Sequence, residues 1–212
     1  MKYEEIRKDL LSIKNIKTKD VDSYNKKLIK NKEDVSDLET HVLEDQLVHR
    51  TYFQVSLKNL NDLDLQLKFI EDHALLLQDW WHVDQLVQFI KKPAKFEIVY
   101  PLAKRYIKST HPFLRRWGYV IFLTGSMKEK EHTKKILSLI KDDEEYYVQM
   151  AEAWLICDLA VYNFEEVYNF LSQTNVKYNI TGRAIQKMCD SFRISNERKQ
   201  LVKLLREKLR NN

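Results

Sequence analysis

The sequence predicts an all-α fold, a solenoid of antiparallel helix pairs, and three observations carry that prediction. Chain punctuation is nearly missing: the 212 residues hold three Gly and three Pro, and the first of each are Gly118 and Pro93. β-Sandwiches, barrels and doubly wound α/β folds need glycines at tight turns and phosphate loops. Apolar residues recur at helical spacing, as in Ile6, Leu10 and Ile13 or Ile136, Leu139 and Ile140. The helices so delimited pair into units of about 30 to 40 residues, the size of HEAT and TPR repeats. A HEAT-like repeat α-solenoid over residues 1–212, as a single domain, is therefore the expected architecture. An irregular helix bundle is the alternative.

Helices are expected at 3–14, 20–30, 36–58, 62–78, 81–91 and 95–107. Six more follow at 112–124, 127–140, 144–158, 163–172, 180–190 and 195–210. The first carries the Ile6, Leu10, Ile13 stripe with Lys and Glu between. A capping box, Ser36-Asp-Leu-Glu39, opens the third, whose apolar face is Leu38, Val42, Leu43 and Leu47. Pro93, Pro101 and Pro112 mark element starts or bends. Gly125 is read as a glycine closing one helix, and a second box, Ser126-Met-Lys-Glu129, as opening the next.

Charge and cysteine content bound the setting. Lys and Arg number 36 against 31 Asp and Glu, an excess of five that permits an anionic partner without demanding one. Cys157 and Cys189 are too few for a disulfide framework and are read as buried thiols in a reducing compartment. No run approaches the roughly 20 apolar residues of a membrane span, and the first five residues lack a signal-peptide pattern. A soluble, cytoplasmic monomer is expected. From Thr181 onward there are nine basic and three acidic residues, more than the whole chain's excess. Basic clusters at Lys91-Lys92, Lys104-Arg105 and Arg115-Arg116 add to this, and such clusters on one face would track a phosphate backbone. An ordinary solvated helix face explains them equally well.

Tryptophan is the unusual feature. The four stand next to charge, in Asp79-Trp80-Trp81-His82-Val83-Asp84, Arg115-Arg116-Trp117 and Ala153-Trp154. Trp80 and Asp84 are four apart and so share a helix face. Exposed aromatics beside basic residues are platforms for sugars and bases. Trp81 and Trp117 are read as ordinary buried aromatics.

The pattern Trp80-x-x-x-Asp84, then Arg115-Arg116-x-Gly-x-Val, then Tyr147-Val-Gln-Met-Ala-Glu-Ala-Trp154 resembles the AlkD-like DNA alkylation repair proteins. The later stretch Ile180-Thr-Gly-Arg-Ala-Ile-Gln-Lys187 is similar to their penultimate helix, and the resemblance spans roughly Leu60 to Asn212. It implies a HEAT-like-repeat glycosylase that removes cationic N3- and N7-alkylated purines from double-stranded DNA. It also implies a lesion-facing set, Trp80, Asp84 and Trp154, with Arg115, Arg116, Arg183 and Lys187 on the DNA. In such a set one carboxylate stabilises the oxocarbenium that develops on deoxyribose. The two indoles each add a cation–π contribution of about 0.5–2 kcal/mol.

Two departures accompany the resemblance. Residues 1–59 contain no Gly, Pro or Trp, whereas the family there carries a segment that presses into the minor groove. No Arg follows Trp154, which is succeeded by Leu-Ile-Cys157-Asp158. Both remove grip on the duplex, so the expectation is a divergent paralogue with weak, salt-dependent DNA binding and little or no excision. An active alkylpurine glycosylase is the alternative. No metal is expected, because His82 and Asp84 lack a third ligand at helical spacing and the other histidines are scattered. No cofactor motif is present: the glycines are too few for a P-loop or a dinucleotide turn.

Overall fold

The structure, a computed structural model, describes residues 2–210 and is helical throughout, with no strand among the described residues. The chain divides into two compact units, Met1–Lys92 and Pro93–Asn212.

The first unit is built around one central helix. Helices α1 (Tyr3–Leu11) and α2 (Thr18–Lys30) lead to a 3-10 turn at Ser36–His41 and then to α3 (Gln46–Asn59). Helix α4 (Leu63–Asp72), α5 (Trp80–Asp84) and α6 (Leu86–Phe89) follow. Helix α3 packs on α1, α2, α6 and the 3-10 turn. Its Val48, Phe53, Val55 and Leu57 join Ile6, Leu28, Leu38, Leu86 and Phe89 in a buried core. Three aspartates start the later helices. Asp45 accepts from the Leu47 N–H at 2.8 Å, Asp62 from Asp64 at 2.8 Å and Asp79 from Trp80 at 2.6 Å.

Three expected helices are divided here: 62–78 stops at Asp72 before a 3-10 turn at Ala74–Leu76, 81–91 breaks between α5 and α6, and 36–58 starts late. Residues 36–58 form the 3-10 turn and then α3, because Ser36 supplies no cap and its own N–H goes to the Asp34 carboxylate. Asp45 caps α3 instead.

The second unit holds α7 (Phe96–Tyr106), α8 (Pro112–Val120), α9 (Thr133–Leu137) and α10 (Tyr146–Tyr162). It ends with α11 (Phe164–Gln173), α12 (Tyr178–Asp190) and α13 (Asn196–Arg210). Contacts join neighbours, as in α7 with α8, α10 with α11 and α12 with α13. They also join next-but-one helices, placing α8, α10 and α12 in one row and α9, α11 and α13 in another. Helix α10 is the centre, with Val148, Ala151, Ala153, Leu155, Ile156 and Leu159 all buried. A helix apolar on nearly every side belongs inside.

Gly118 lets α8 approach α7 closely, since a Cβ there would lie 2.8 Å from Ile107 Cγ1 and 3.0 Å from its backbone nitrogen. Pro112 takes the first position of α8, where its missing N–H costs nothing, whereas Pro101 stands inside α7. Gly125 does close the turn before it, at φ 128°. The box expected at Ser126 does not form: the Ser126 hydroxyl donates back to the Phe122 carbonyl, and α9 begins only at Thr133.

Candidate functional site

Within the first unit, Trp80 and Asp84 lie on α5, a five-residue helix held in place by the buried groups behind it. Trp80 is at its exposed start, 43% accessible, and Asp84 is half-buried at its end. Trp81 is half-exposed at the surface rather than internal. Its ring meets His49 edge-on at 5.1 Å and His82 at 4.1 Å, and those imidazoles take the interior that the indole was expected to fill.

His82, the middle residue of α5, stacks face to face on His49 of α3 at 3.6 Å. The His49 Nδ1 accepts from Gln85 Nε2 at 3.0 Å, so its Nε2–H is the donor to the Leu76 carbonyl at 3.3 Å. The Gln85 Oε1 accepts from Arg50 at 3.2 Å, and Arg50 in turn forks onto Asp22 at 2.8 and 3.0 Å. A relay thus runs Asp22, Arg50, Gln85, His49, Leu76. Burial pushes the His49 pKa down to about 3 and that of His82 to about 4, with the His82 ring adding to the shift at His49. Both imidazoles are neutral at pH 7.

The second unit holds the remaining site candidates. Trp154 is half-buried on α10, and its indole N–H donates to Asp158 one turn on, a second Trp-x-x-x-Asp pair on a helix face. Burial raises the Asp158 pKa, opposed by the Arg193 guanidinium, with which it forms a short ion pair. Lys187 on α12 is half-buried, and its charge acts in the same direction as that of Arg193.

Three arginines expected on the DNA are engaged within the protein. Arg115 forks onto Asp143, Nε to Oδ2 at 2.7 Å and Nη2 to Oδ1 at 3.0 Å, while its Nη1 donates to the Ser109 and Thr110 carbonyls, each at 3.1 Å. Burial alone would raise the Asp143 pKa, but Arg115 and the Glu145 N–H reverse this and hold it below the usual carboxylate value. Arg116 is buried, 4% accessible, and its Nη1 donates to the Tyr147 carbonyl. Arg183 gives its Nη1 to Gln149 Oε1 at 2.5 Å and to the Asn179 carbonyl at 2.8 Å, with its guanidinium 5.0 Å over the exposed Tyr146 ring. Trp117 is fully buried, as its apolar setting predicts.

The model of one family, described as DNA alkylation repair enzyme, matches residues 6–188. The chain belongs to that family. Neither the search of curated proteins nor that of solved structures returned a match. The match to the DNA alkylation repair family begins at Ile6, inside α1, and so reaches across the N-terminal helices as well as the stretch from Leu60 onward. It ends at Met188, short of α13.

Several polar groups have no signature in the sequence. Asp143 and Asp158 lack any local signal, because their partners Arg115 and Arg193 are 28 and 35 residues away. Tyr146 and Tyr147, both exposed, open α10 directly after the acidic run Asp142-Asp143-Glu144-Glu145, and a pair of aromatics after four acids was a usable cue. Glu129, Glu131 and His132 place three potential ligand atoms within 4.8 Å. Yet Glu129 faces the ring Nδ1 at 3.4 Å and Glu131 the Nε2 at 3.6 Å. The two nitrogens of an imidazole point apart, so one ion cannot take both sides. No helix among the described residues is long and apolar enough to cross a membrane.

Proposed function

We propose that this member of the DNA alkylation repair family binds double-stranded DNA weakly and excises cationic N3- and N7-alkylpurines slowly or not at all. The state of the arginines is the observation that carries this reading. Arg115 has four of its five N–H donors satisfied by Asp143 and two carbonyls, and Arg116 is buried. A guanidinium already committed to the protein neutralises no phosphate and releases no counterion, so the salt-dependent affinity for DNA falls with each one. Lys187 and part of Arg183 remain for the backbone.

The chemistry assigned to the site is simple in its balance. The N-glycosidic bond breaks, its electron pair leaves with the cationic base and neutralises it, and water adds to C1′ of the deoxyribose. Asp84 stabilises the positive charge on the sugar and takes the proton of the attacking water. Trp80, on the same helix as Asp84, offers the negative face of its ring to that charge. The HEAT-like arrangement of the helix pairs is part of the same reading, supported in the second unit by the two rows of helices.

Partial exposure of Asp84 and Trp80 on one helix favours the second reading, an active glycosylase. A base-release assay on duplex DNA bearing 7-methylguanine or 3-methyladenine separates the two. Slow release that falls on the order of a hundredfold or more in Asp84→Asn supports a weak site. Robust release by the unmodified chain, lost in Asp84→Asn, establishes the active enzyme instead. Release that Asp84→Asn leaves unchanged removes this carboxylate from the chemistry.

A further inference from the structure

A cavity of about 300 Å³ opens between α12 and α13, lined by Tyr178, Asn179, Gly182, Arg183, Gln186 and Arg206. Two of the six lining residues are arginines and none is acidic. Neither guanidinium makes an ion pair among the described residues: Arg206 gives its Nε to the Tyr178 hydroxyl at 3.1 Å and its Nη1 to Gln186 Oε1 at 2.7 Å. Arg183 commits only Nη1, to Gln149 and the Asn179 carbonyl. The Nη2 groups of both, and Nε of Arg183, retain donors with no acceptor among the described residues. Two positive charges gathered at a concave surface without a carboxylate repel each other unless an anion joins them.

The neutral residues are arranged to the same end. Gln186 donates to Asp190 at 2.9 Å, which fixes its amide so that Oε1 receives Arg206 and leaves that guanidinium oriented. The Tyr178 ring lies on Gly182, where a Cβ would come within 2.8 Å of the ring, so glycine sets how close the phenol sits to the helix. Having accepted from Arg206, the phenol has its own proton to donate. Asn179 Oδ1 is buried without a hydrogen-bond partner, so turning the amide sacrifices no bond at that atom. Tyr178 and Asn179 also occupy the first turn of the 13-residue α12, where the helix dipole favours negative charge.

We propose that this cavity is a phosphate-binding site in which Arg183 and Arg206 clamp the anion and Tyr178 donates to it. The planar guanidinium matches tetrahedral phosphate oxygens two at a time, which a lysine does not. The site shares Arg183 with the DNA-binding reading but does not depend on excision, and Arg206 lies beyond the family match. Its ligand is a phosphate group, either a backbone diester of DNA or a monoester such as a strand-terminal or free phosphate.

The test uses the full chain with 15N-labelled arginine. Inorganic phosphate is added at constant ionic strength, with chloride as control, and the Arg183 and Arg206 Nε–H resonances are followed. Saturable shifts at both, with phosphate and not with chloride, are expected. Arg206→Gln then weakens phosphate binding about tenfold or more while the helical circular dichroism is retained. Arg206→Lys, which keeps the charge but not the fork, is expected to weaken it as well. Two short duplexes, with and without a 5′-phosphate, identify the source. Equal binding of both, weakened by Arg206→Gln, assigns the site to the diester backbone, and binding of the phosphorylated duplex alone assigns it to a monoester. Absence of any saturable shift with phosphate and with either duplex overturns the proposal, as does Arg206→Gln binding like the parent. Because Asp84→Asn is irrelevant to these readouts, loss of base release and loss of phosphate binding are separable results.

Discussion

Glu152 is fully buried on α10, and burial raises its pKa to about 8, against the opposing effect of the Lys141 N–H that reaches its Oε1 at 3.1 Å. Its Oε2 makes no hydrogen bond of good geometry, and the nearby Tyr119 hydroxyl and the Lys141 N–H only partly offset the burial that favours the neutral acid. At pH 7 the group is therefore mostly protonated. The folded pKa lies above the unfolded value of 4.5, so the folded chain binds a proton the unfolded chain has released across that interval. Stability contributed by the neutral form is accordingly lost as pH rises through about 8. Glu152→Gln mimics the neutral acid, and we expect it to change stability at pH 6 by less than about 1 kcal/mol. Urea unfolding at about pH 6 and about pH 8.5 should show a shift in midpoint for the parent and a smaller one for the variant. A larger shift in the variant would contradict the assignment.

Among the elements, the crossing of α7 and α8 is the most exacting. Gly118 faces the Ile107 side chain and backbone nitrogen together, and backbone cannot step aside as a flexible side-chain tip can. Gly118→Ala should cost about 1–3 kcal/mol by overpacking, despite the better helix propensity of alanine. A calorimetric melting point equal to or above the parent's would show that the crossing yields. Arg50 plays a comparable role in the first unit, where α2, α3 and the Gln85 junction between α5 and α6 meet on one guanidinium that also lies 5.1 Å over Phe89. Arg50→Ala leaves Asp22 and Gln85 without their partner, and a loss of about 3 kcal/mol is expected in denaturant unfolding.

At the scale of the whole chain, the two units should answer pH in opposite senses. His49 and His82, in Met1–Lys92, have folded pKa values of about 3 and about 4, below the ordinary 6.5. Their neutral forms therefore contribute stability that is present above pH 6.5 and lost as pH falls toward 4, at up to about 1.4 kcal/mol per pH unit for each. Glu152 belongs to Pro93–Asn212 and acts on the alkaline side. Hydrogen-exchange protection in α3 should drop at about pH 5, and that in α10 at about pH 8.5. Parallel loss in both units at either pH would sink this expectation. The helical content and most helix boundaries were legible in the sequence, because period, proline and missing glycine act locally. The splits were not. Whether residues 36–45 continue a helix depends on which aspartate caps which N–H, a competition between near neighbours that spacing alone does not decide. The site was legible only as residue types: Trp80 and Asp84 share a helix as spacing requires, while the occupation of Arg115 by Asp143 depends on a partner 28 positions away.

The relay behind α5 has a direction. Asp22 as a carboxylate can only accept, Arg50 can only donate, and so the orientation of the Gln85 amide and the tautomer of His49 follow without further choice. A string of groups ordered in this way resembles a row of turnstiles, each admitting passage one way and each set by the one before. The first of them, the Asp22 carboxylate, is 29% accessible to solvent, and His49 near the other end stacks on His82, which shares α5 with Trp80 and Asp84. The solvent-facing surface of α2 is thereby linked, through hydrogen bonds and one ring stack, to the helix that carries Asp84, although no atom of Asp22 belongs to the candidate site.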